Sequence, residues 1–420
     1  WYGELEQFAR RCTAQDAAGR EARSRLAWLD ISLPQRSTAS LTETFPAVFR
    51  LVTNREITLP PFSVTSTLPS IMNGGKDFSA WSKNDALLYR TLRLPVETVL
   101  GRDGVGLADA GIAESRLEKG EDITSRMLSL VQRMGEIQRD GTPDIEFAVT
   151  GLLCRSLMAA GEPEDARRAL EQIRARFISQ GETRFLPNID ALLCRIALRT
   201  GDLDDVDAWY REKAPRDALL LNVMKRYQYF TQAMAELSAG KPDAALLTLA
   251  PLESYCKTCA RYIDGIHLGV LRAIALYRKK DSAWKDSLTA ALAEAESFGF
   301  IRTVSVYGAA VLPLLEALGE TGSARWYKKL LSDVRIQAAY YPRFLQPRLA
   351  PGEELTAAER QVLSLLCADK SNAEIGEIMD IKVTTVKTHV SHILDKLGVS
   401  RRSEAKTAAQ KLRLVPEDRS

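Results

Sequence analysis

Turn signals recur every 39 to 41 residues through the middle of this 420-residue chain. They stand at Gly120, Gly161, Gly201, Gly240, Lys280-Asp281 and Gly319. Each signal lies between two segments with apolar residues at helical spacing, such as GLLCRSLMAAG up to Gly161 and PEDARRALEQI after it. One helix pair cannot bury its apolar faces alone, whereas stacked pairs bury a continuous core. We therefore predict an all-α fold with a tetratricopeptide-like helical-repeat superhelix of about six pairs over residues 106–335.

Aromatic and arginine side chains are concentrated within this repeat region. They are Trp209, Tyr210, Tyr227, Tyr229, Phe230, Tyr255, Tyr262, Tyr277, Trp284, Trp326 and Tyr327, alongside Arg211, Arg226, Arg261 and Arg278. A superhelix has a concave face, and these residues suit an inner surface that senses a small-molecule inducer or a protein partner. The alternative is packing between helices, because aromatic residues at helical spacing usually belong to a core. Both interpretations stay open at this stage.

Residues 1–105 predict a helical and irregular connecting segment. Apolar spacing favours helix over 1–30, whereas six prolines interrupt 31–105. Leu59 to Asp77 reads as an extended loop or lid, and we retain it as a candidate contact surface. Asn73-Gly-Gly-Lys76 within it lacks the spacing and the following Ser or Thr of a phosphate loop, so it predicts a turn. After the repeats, three prolines between Asp333 and Gly352 predict an extended linker over 336–352.

Residues 353–420 carry the signals of a small helical domain. Thr356-Ala-Ala-Glu359 and Ser371-Asn-Ala-Glu374 are two capping boxes, each of which opens a short helix. A turn of about three residues after the second helix leads into VTTVKTHVSHILDKL over 383–397. Two helices joined by a tight turn predict a helix-turn-helix motif, in which the second helix enters the major groove of DNA.

The helix over 383–397 has two unlike faces at about 100° per residue. The packing face carries Val386, Val390, Ile393, Leu394 and Leu397, and the opposite face carries Thr384, Lys387, Thr388, Ser391 and Asp395. Eight basic residues follow from the turn onward: Lys382, Lys387, Lys396, Arg401, Arg402, Lys406, Lys411 and Arg413. A short polar face beside a basic cluster is typical of a helix that contacts bases and phosphates. A solvated helix face is the alternative.

This terminal pattern resembles the LuxR/FixJ-type DNA-binding domain over about 60 residues. The matching positions are Leu355, Thr356, Glu359, Val362, Leu363, Ser371, Asn372, Glu374, Ile375, Ile381, Thr385, Val386, Lys387, His389, Ile393, Lys396, Leu397, Gly398, Val399, Arg402 and Ala405. The resemblance implies a four-helix domain that binds double-stranded DNA as a homodimer. It implies base contacts from Lys387, Thr388 and Ser391, with Thr384 on the same face. It also implies that Asn372, Thr385, His389, Lys396 and Arg402 hold phosphates or the domain's own turns.

Three positions depart from the family pattern. Asp369 replaces a glycine in a left-handed turn, which costs about 1 kcal/mol of stability. Lys382 replaces a capping Ser or Thr, and the lost cap also costs about 1 kcal/mol of stability. In one interpretation, Lys382 contacts a DNA phosphate in place of the lost cap. Ala358 replaces an arginine. None of these changes removes the fold, but each is expected to alter the affinity for DNA.

The fourth helix of this domain offers a candidate dimer contact. We expect Ser403 to cap it, and Ala405, Ala408, Ala409 and Leu412 to form a small apolar stripe along it. A self-complementary stripe suits a two-fold dimer contact. Ordinary core packing is the alternative.

The order of repeats, linker and DNA-binding domain resembles the C-terminal part of MalT-like regulators. In that family a nucleotide-binding module precedes the repeats, so a nucleotide-hydrolysing module upstream is an implication of the resemblance alone. This chain has no Walker motif, and we expect no cofactor in it. The chain begins at Trp1 in what reads as mid-helix sequence, so we expect a piece of a longer protein.

Composition excludes several other classes of protein. The net charge is only +3, so the basic character is local, and no apolar run of about 18 residues predicts a membrane span. Six scattered cysteines suit reduced thiols in the cytoplasm, and Cys256-Lys-Thr-Cys259 lacks the further ligands of a metal site. Three histidines offer no catalytic constellation, so we expect no enzyme.

The sequence predicts a DNA-binding transcriptional regulator. The alternative is a helix-repeat interaction scaffold whose C-terminal domain only dimerises or does not bind DNA.

Overall fold

The computed structural model describes residues 1–13, 16–32, 41–59, 63–216, 221–346, 355–397, 399, 401–411 and 414. The chain divides into two compact units, Trp1–Gln346 and Pro347–Ser420. Within the described residues the regular structure is helical, as predicted, and no helix there is long and apolar enough to cross a membrane.

The first helices of the unit Trp1–Gln346 precede the repeats. They are α1 (Tyr2–Arg11), α2 (Ala17–Ser32), α3 (Leu41–Thr53), α4 (Ser79–Ser82) and α5 (Asp85–Leu100). The prediction that prolines interrupt this region was wrong for α3 and α5, which contain Pro46 and Pro95 in their interiors. Each proline removes one backbone hydrogen bond, but burial of apolar residues such as Phe45 and Val96 offsets that loss.

The repeats follow as helix pairs. They comprise α6 (Leu107–Glu118), α7 (Thr124–Gln132), α8 (Met134–Asp140), α9 (Pro143–Ala160), α10 (Pro163–Gln180), α11 (Leu186–Thr200), α12 (Leu203–Glu212), α13 (Arg226–Ser238), α14 (Pro242–Thr258), α15 (Tyr262–Arg278), α16 (Trp284–Phe298), α17 (Arg302–Ser305), α18 (Gly308–Leu318) and α19 (Ala324–Tyr340). All six predicted turns fall between the two helices of a pair, and each has a residue with φ between 58° and 88°. Only the turn at Lys280 uses a residue other than glycine in this left-handed region. The helical-repeat prediction is confirmed.

The non-helical segment 63–78 is buried inside this unit. Its backbone amides at Ile71 and Met72 donate to the carboxylate of Glu114 on α6, at 2.7 and 3.0 Å. Leu68 and Asp77 are also buried. The prediction of an irregular segment here is correct, but the interpretation as a lid or contact surface was wrong. Buried side chains of the repeats supply the hydrogen bonds that solvent gives to an ordinary loop. Residues 60–62 lie outside the described part of the chain.

Gly151 on α9 marks the closest approach of a repeat helix to this segment. A Cβ at this position would lie 2.4 Å from Cβ of Pro69 and 2.6 Å from its carbonyl oxygen. Gly265 on α15 has nothing within 4 Å of the same point. The absence of a side chain at Gly151 therefore permits the segment to pack against the helix.

We expect Gly151→Ala to lower the free energy of unfolding by about 1–3 kcal/mol, because the segment must move away from α9. Gly265→Ala is the matched control and should leave stability unchanged or raise it by up to about 1 kcal/mol. Urea unfolding followed by tryptophan fluorescence measures both changes. Equal midpoints for the two variants would show that the contact at Pro69 is not tight.

The segment predicted as a linker, 336–352, is partly repeat structure. Helix α19 continues to Tyr340, and Tyr341, Phe344 and Leu345 are buried after it. The hydroxyl of Tyr341 donates to the carbonyl of Met158 at 2.7 Å. These apolar residues pack against the repeats despite the nearby prolines, so the first part of the predicted linker is not extended. Residues 347–354 lie outside the described part of the chain.

The unit Pro347–Ser420 has four described helices. They are α20 (Ala357–Cys367), α21 (Asn372–Met379), α22 (Val383–Leu397) and α23 (Arg402–Lys411). Leu363, Ile375, Val386 and Ile393 are fully or nearly fully buried in its core. This agrees with the predicted four-helix domain.

Candidate DNA-binding surface

The turn between α21 and α22 is short and fixed by its backbone. Before the turn, both predicted capping boxes are present. At the start of α20, Thr356 accepts from the amide of Glu359, and at the start of α21, Ser371 accepts from the amide of Glu374. Asp380 ends α21 with φ 53°, and the amide of Ile381 then donates to the carbonyl of Gly376 at 3.0 Å. These bonds set the direction in which α22 leaves the turn.

Helix α22 has the two faces that its sequence predicts. Val386, Ile393 and Leu397 are buried, and Val390 and Leu394 pack partly buried against the same core. The residues Thr384, Thr385, Lys387, Thr388 and Ser391 are exposed. The side chain of Asp395 lies outside the described part of the structure. A polar face therefore projects from a helix whose other face is held by the domain core.

The exposed face is rich in hydrogen-bonding groups. The hydroxyl of Thr388 donates to the carbonyl of Thr384 at 3.2 Å, one helical turn earlier. That bond leaves the acceptor positions of the Thr388 oxygen available. Lys382 is exposed at the start of α22, and its carbonyl accepts from the amides of Thr385 and Val386 at 2.8 and 3.1 Å. This surface can donate to and accept from base edges, and Lys387 adds a positive charge.

Lys396 is paired inside the domain. Its Nζ donates to both carboxylate oxygens of Glu359, at 2.9 and 2.7 Å, and the Glu359 side chain is almost completely buried. Glu359 therefore caps α20 and also anchors the last turn of α22. Apart from the capping box, no local pattern in the sequence indicates this pair. A phosphate contact by Lys396 stays a prediction, and its charge is already balanced by Glu359.

The Glu359 pair makes stability of the four-helix unit depend on pH. Burial raises the pKa of Glu359, but hydrogen bonds from Lys396 and Thr356 outweigh burial and lower the pKa to about 2. A carboxylate whose pKa is lower in the folded state stabilises that state above its unfolded pKa of about 4.5. We therefore expect protection of the α20 amides from hydrogen exchange, corrected for intrinsic rates, to fall between about pH 4.5 and pH 2. Glu359→Gln should reduce this dependence, and an unchanged pH profile would contradict the assignment.

Arg402 joins the start of α23 to the start of α21. Its guanidinium donates to Oδ1 of Asn372 at 2.9 Å and to the carbonyl of Lys370. Asp369 has φ 58°, the left-handed conformation expected where the family pattern has glycine, and it pairs with Lys406 at 3.1 Å. These contacts place Asn372 and Arg402 at the domain's own turns, and any phosphate contact by them stays a prediction.

The fourth helix differs from its prediction in two ways. It begins at Arg402, so Ser403 lies in its first turn and does not cap it, and Glu404 instead accepts from the amide of Arg401 at 3.1 Å. Ala405 and Ala409 are completely buried in the domain's own core. The dimer interpretation was wrong for these two residues. Ala408 is partly buried, and Leu412 and Arg413 lie outside the described residues.

The basic residues near α22 fall into two groups. Lys396 and Lys406 pair with carboxylates, as described above. Lys382, Lys387 and Arg401 are exposed and have no ion pair within the described residues. His389 on α22 is half-buried. The positive charges of Lys382 and Lys387 therefore lie at the start and on the polar face of α22, where they can attract phosphates.

The aromatic residues of the repeats mostly pack between helices. Trp209, Tyr229, Phe230, Trp284 and Tyr327 are buried, whereas Tyr262 and Tyr277 are about one-third exposed. These positions follow the packing alternative, and a ligand surface built from them stays a prediction.

Three of the four arginines singled out with those aromatics bond inside the repeat unit. Arg226 and Arg261 are buried and both pair with Asp264, at 3.1 and 3.3 Å. Arg278 donates to the carbonyls of Leu237 and Leu345. These arginines therefore connect neighbouring repeat helices, and they also hold residues 73–75 and Leu345 against those helices.

The cysteines are all free thiols. Cys256 and Cys259 are buried, and burial raises the pKa of Cys256, which makes its thiolate scarce. No group of three potential metal ligands occurs in the part of the chain that the structure describes.

Two family models match this chain. One is described as the MalT-like TPR region and matches residues 128–321, and the other is described as bacterial regulatory proteins, luxR family, and matches residues 353–409. No solved structure matches the chain significantly.

Curated relatives carry the name HTH-type transcriptional regulator MalT. The protein from Cronobacter sakazakii is 27% identical over 295 residues, which cover 64% of this chain and 32% of the relative. The protein from Yersinia pestis (strain Pestoides F) is 26% identical over 321 residues, which cover 71% of this chain and 34% of the relative. The chain therefore spans about a third of the length of these relatives. The resemblances noted in the sequence are confirmed: residues 128–321 match the MalT-like TPR region, and residues 353–409 match the luxR family of bacterial regulatory proteins.

Proposed function

We propose that this chain is the sensing and DNA-binding part of a transcriptional regulator. The observation that carries the proposal is the exposed polar face of α22 with Lys387 at its centre. Relatives named as HTH-type transcriptional regulators support it. In this proposal Lys387, Thr388 and Ser391 contact base edges, while Lys382 and Arg401 contact phosphates.

The dependence of DNA affinity on salt tests this function. A titration of the protein into a fluorescent duplex from the region upstream of its own gene measures affinity by anisotropy, with an unrelated duplex of equal length as control. We expect the logarithm of affinity to fall with the logarithm of salt concentration by about 0.9 for each phosphate contact. We also expect tighter binding to the upstream duplex. Affinity that is weak and independent of salt would favour the alternative, an interaction scaffold without DNA binding.

We propose further that the repeats sense a small-molecule inducer or a protein partner. A stacked helical repeat offers a continuous inner surface, and several polar side chains of this unit line a cavity. Free cysteines support a reducing compartment such as the cytoplasm. A ligand that binds the folded repeats raises their unfolding temperature, so a metabolite screen followed by tryptophan fluorescence tests the sensing function.

A homodimer on DNA is part of the same proposal and is supported by the family resemblance. Burial of Ala405 and Ala409 restricts any contact through α23 to its outer residues, such as Ala408 and Thr407. Sedimentation of the protein with one duplex of defined length tests this. We expect two chains per duplex, and a saturated complex with one chain would contradict the dimer.

A further inference from the structure

A polar cavity of about 60 Å³ lies among the helices of the repeat unit. Arg155, Arg195, Arg226, Tyr227 and His267 line it, together with the carboxylates of Glu114, Glu118 and Asp264. A cavity of this size holds several water molecules or a small polar group of a ligand. Its lining is rich in charge, in contrast to the apolar core that surrounds it.

Two of the arginines in the lining already have carboxylate partners. Arg155 pairs with Glu114 and with Glu118, the latter at 2.7 Å. Arg226 pairs with Asp264 at 3.1 Å. These pairs use the acidic groups of the cavity, so no acidic group there is left for a further cation.

Within the described part of the chain, no carboxylate pairs with Arg195 on α11. Its Nε donates to the hydroxyl of Thr231 at 2.8 Å, and its Nη2 donates to the carbonyl of Tyr227 at 2.9 Å. The guanidinium lies over the ring of Tyr227, 3.6 Å from its centroid. These neutral groups hold the side chain in place but do not balance its charge.

Arg199 lies one helical turn after Arg195 on the same face of α11. Its guanidinium lies 4.8 Å from the centroid of the Phe344 ring, and no hydrogen bond or ion pair to it occurs within the described residues. Burial is the main cause that lowers the pKa of Arg199, and the charge of Arg195 lowers it further. Two half-buried cations therefore lie one helical turn apart, and neither has a carboxylate partner among the residues that the structure describes.

His267 cannot relieve this excess of positive charge. Burial, followed by the charge of Arg195, lowers its pKa to about 3, so the ring is neutral at physiological pH. Its Nδ1 lies 3.0 Å from the hydroxyl of Tyr307. Neutral histidine and tyrosine side chains next to unpaired guanidiniums are suitable hydrogen-bonding groups for the polar part of a ligand.

We propose that Arg195, which lines this cavity, binds the carboxylate or phosphate group of a small anionic metabolite there, and that Arg199, which lies one helical turn away outside the lining, adds its positive charge. The planar fork of a guanidinium matches both groups, and a half-buried pair without a counter-ion gains most from an anion. This inference rests on the proposed sensing function and names the chemical class of the inducer. A protein partner or a neutral metabolite would not need these two charges.

The test uses the full chain and its tryptophan fluorescence. All six tryptophans lie between Trp1 and Trp326, so the signal reports only the repeat unit and the helices before it. Inorganic phosphate and succinate are titrated separately, with sodium chloride at equal ionic strength as the reference. We expect at least one of the two anions to raise the unfolding temperature in a saturable manner. The more effective anion distinguishes a phosphate ligand from a carboxylate ligand.

Matched variants locate the binding. Arg195→Gln should weaken binding of the anion about 10-fold or more, since it removes a charge-assisted contact, and Arg199→Gln should weaken it less, since it removes only a nearby charge. Arg168→Gln is the control, because Arg168 on α10 is exposed and pairs with Asp165. It should leave the affinity unchanged. Without anion, Arg199→Gln should unfold at the same or a higher temperature, which shows that the variant is folded.

Two outcomes would overturn the inference: no saturable effect of either anion beyond that of sodium chloride, or an effect that persists in both variants. DNA affinity of the same preparations is measured in parallel. If the anion has no effect while DNA binding is intact, only this inference fails. A loss of both would instead reject the proposed function.

Discussion

Asp264→Ala is expected to destabilise the unit Trp1–Gln346 by about 3–5 kcal/mol. The carboxylate is buried, and its Oδ2 accepts from Nε of Arg226 at 3.1 Å and Nε of Arg261 at 3.3 Å. Its Oδ1 accepts from Asn73 at 2.7 Å. Burial alone would raise the pKa of Asp264, but Arg261 and Arg226 outweigh burial and lower it. Removal of the carboxylate would leave two buried guanidiniums without this partner, and the charge of Asp77 would still act on Arg261.

The same change should loosen the buried segment 63–78. Arg261 donates to the carbonyls of Gly74 and Gly75 at 2.9 and 3.1 Å, so Asp264 positions the arginine that holds the segment. Urea unfolding followed by tryptophan fluorescence measures the loss in free energy of unfolding. Asp243→Ala is the control, since Asp243 is exposed and pairs with Lys279 at the surface. It should change stability by about 1 kcal/mol at most. Similar losses in the two variants would contradict the role given to Asp264.

Lys387→Ala is expected to weaken binding to the upstream duplex by about 1–3 kcal/mol. The side chain is exposed at the centre of the polar face of α22 and has no ion pair among the described residues. An ammonium at this position can donate to the acceptors that guanine presents in the major groove. The loss should be smaller on the unrelated duplex, because that duplex lacks the matching base.

Arg360→Ala is the control for Lys387→Ala, because it removes the same charge from the exposed surface of α20. Anisotropy titrations of both variants on both duplexes show whether Lys387 contacts a base, a phosphate or neither. An equal loss on the two duplexes, with a salt slope lower by about 1, would assign Lys387 to a phosphate. Unchanged affinity would remove it from the DNA-binding surface.

The repeats could be predicted because each turn requires an unusual backbone conformation. Five of the six turns use glycine at positive φ, and their regular spacing is visible in the sequence. The domain of α20–α23 could be predicted because its capping boxes and its two-faced helix are local patterns. Local signals of this kind do not depend on which distant residues the chain brings together.

The errors arose where distant contacts decide the structure. The segment 63–78 is polar and irregular in sequence, and only the buried Glu114, Arg226 and Arg261 explain its burial. Residues 341–346 contain a proline but pack against α9 through Tyr341. Similarly, the alanines of α23 fit either a core or a dimer contact in sequence, and only the packing shows that Ala405 and Ala409 belong to the core.

The central claim is that the exposed polar face of α22 contacts DNA, and site-specific cross-linking tests it most directly. A photoreactive amino acid is incorporated at Ser391 on this face or at Ser364 on the exposed surface of α20, and each protein is irradiated with the upstream duplex. We predict a cross-link to DNA from position 391 and none from position 364. A cross-link from position 364 alone, or none from position 391 at saturating protein, would contradict the claim.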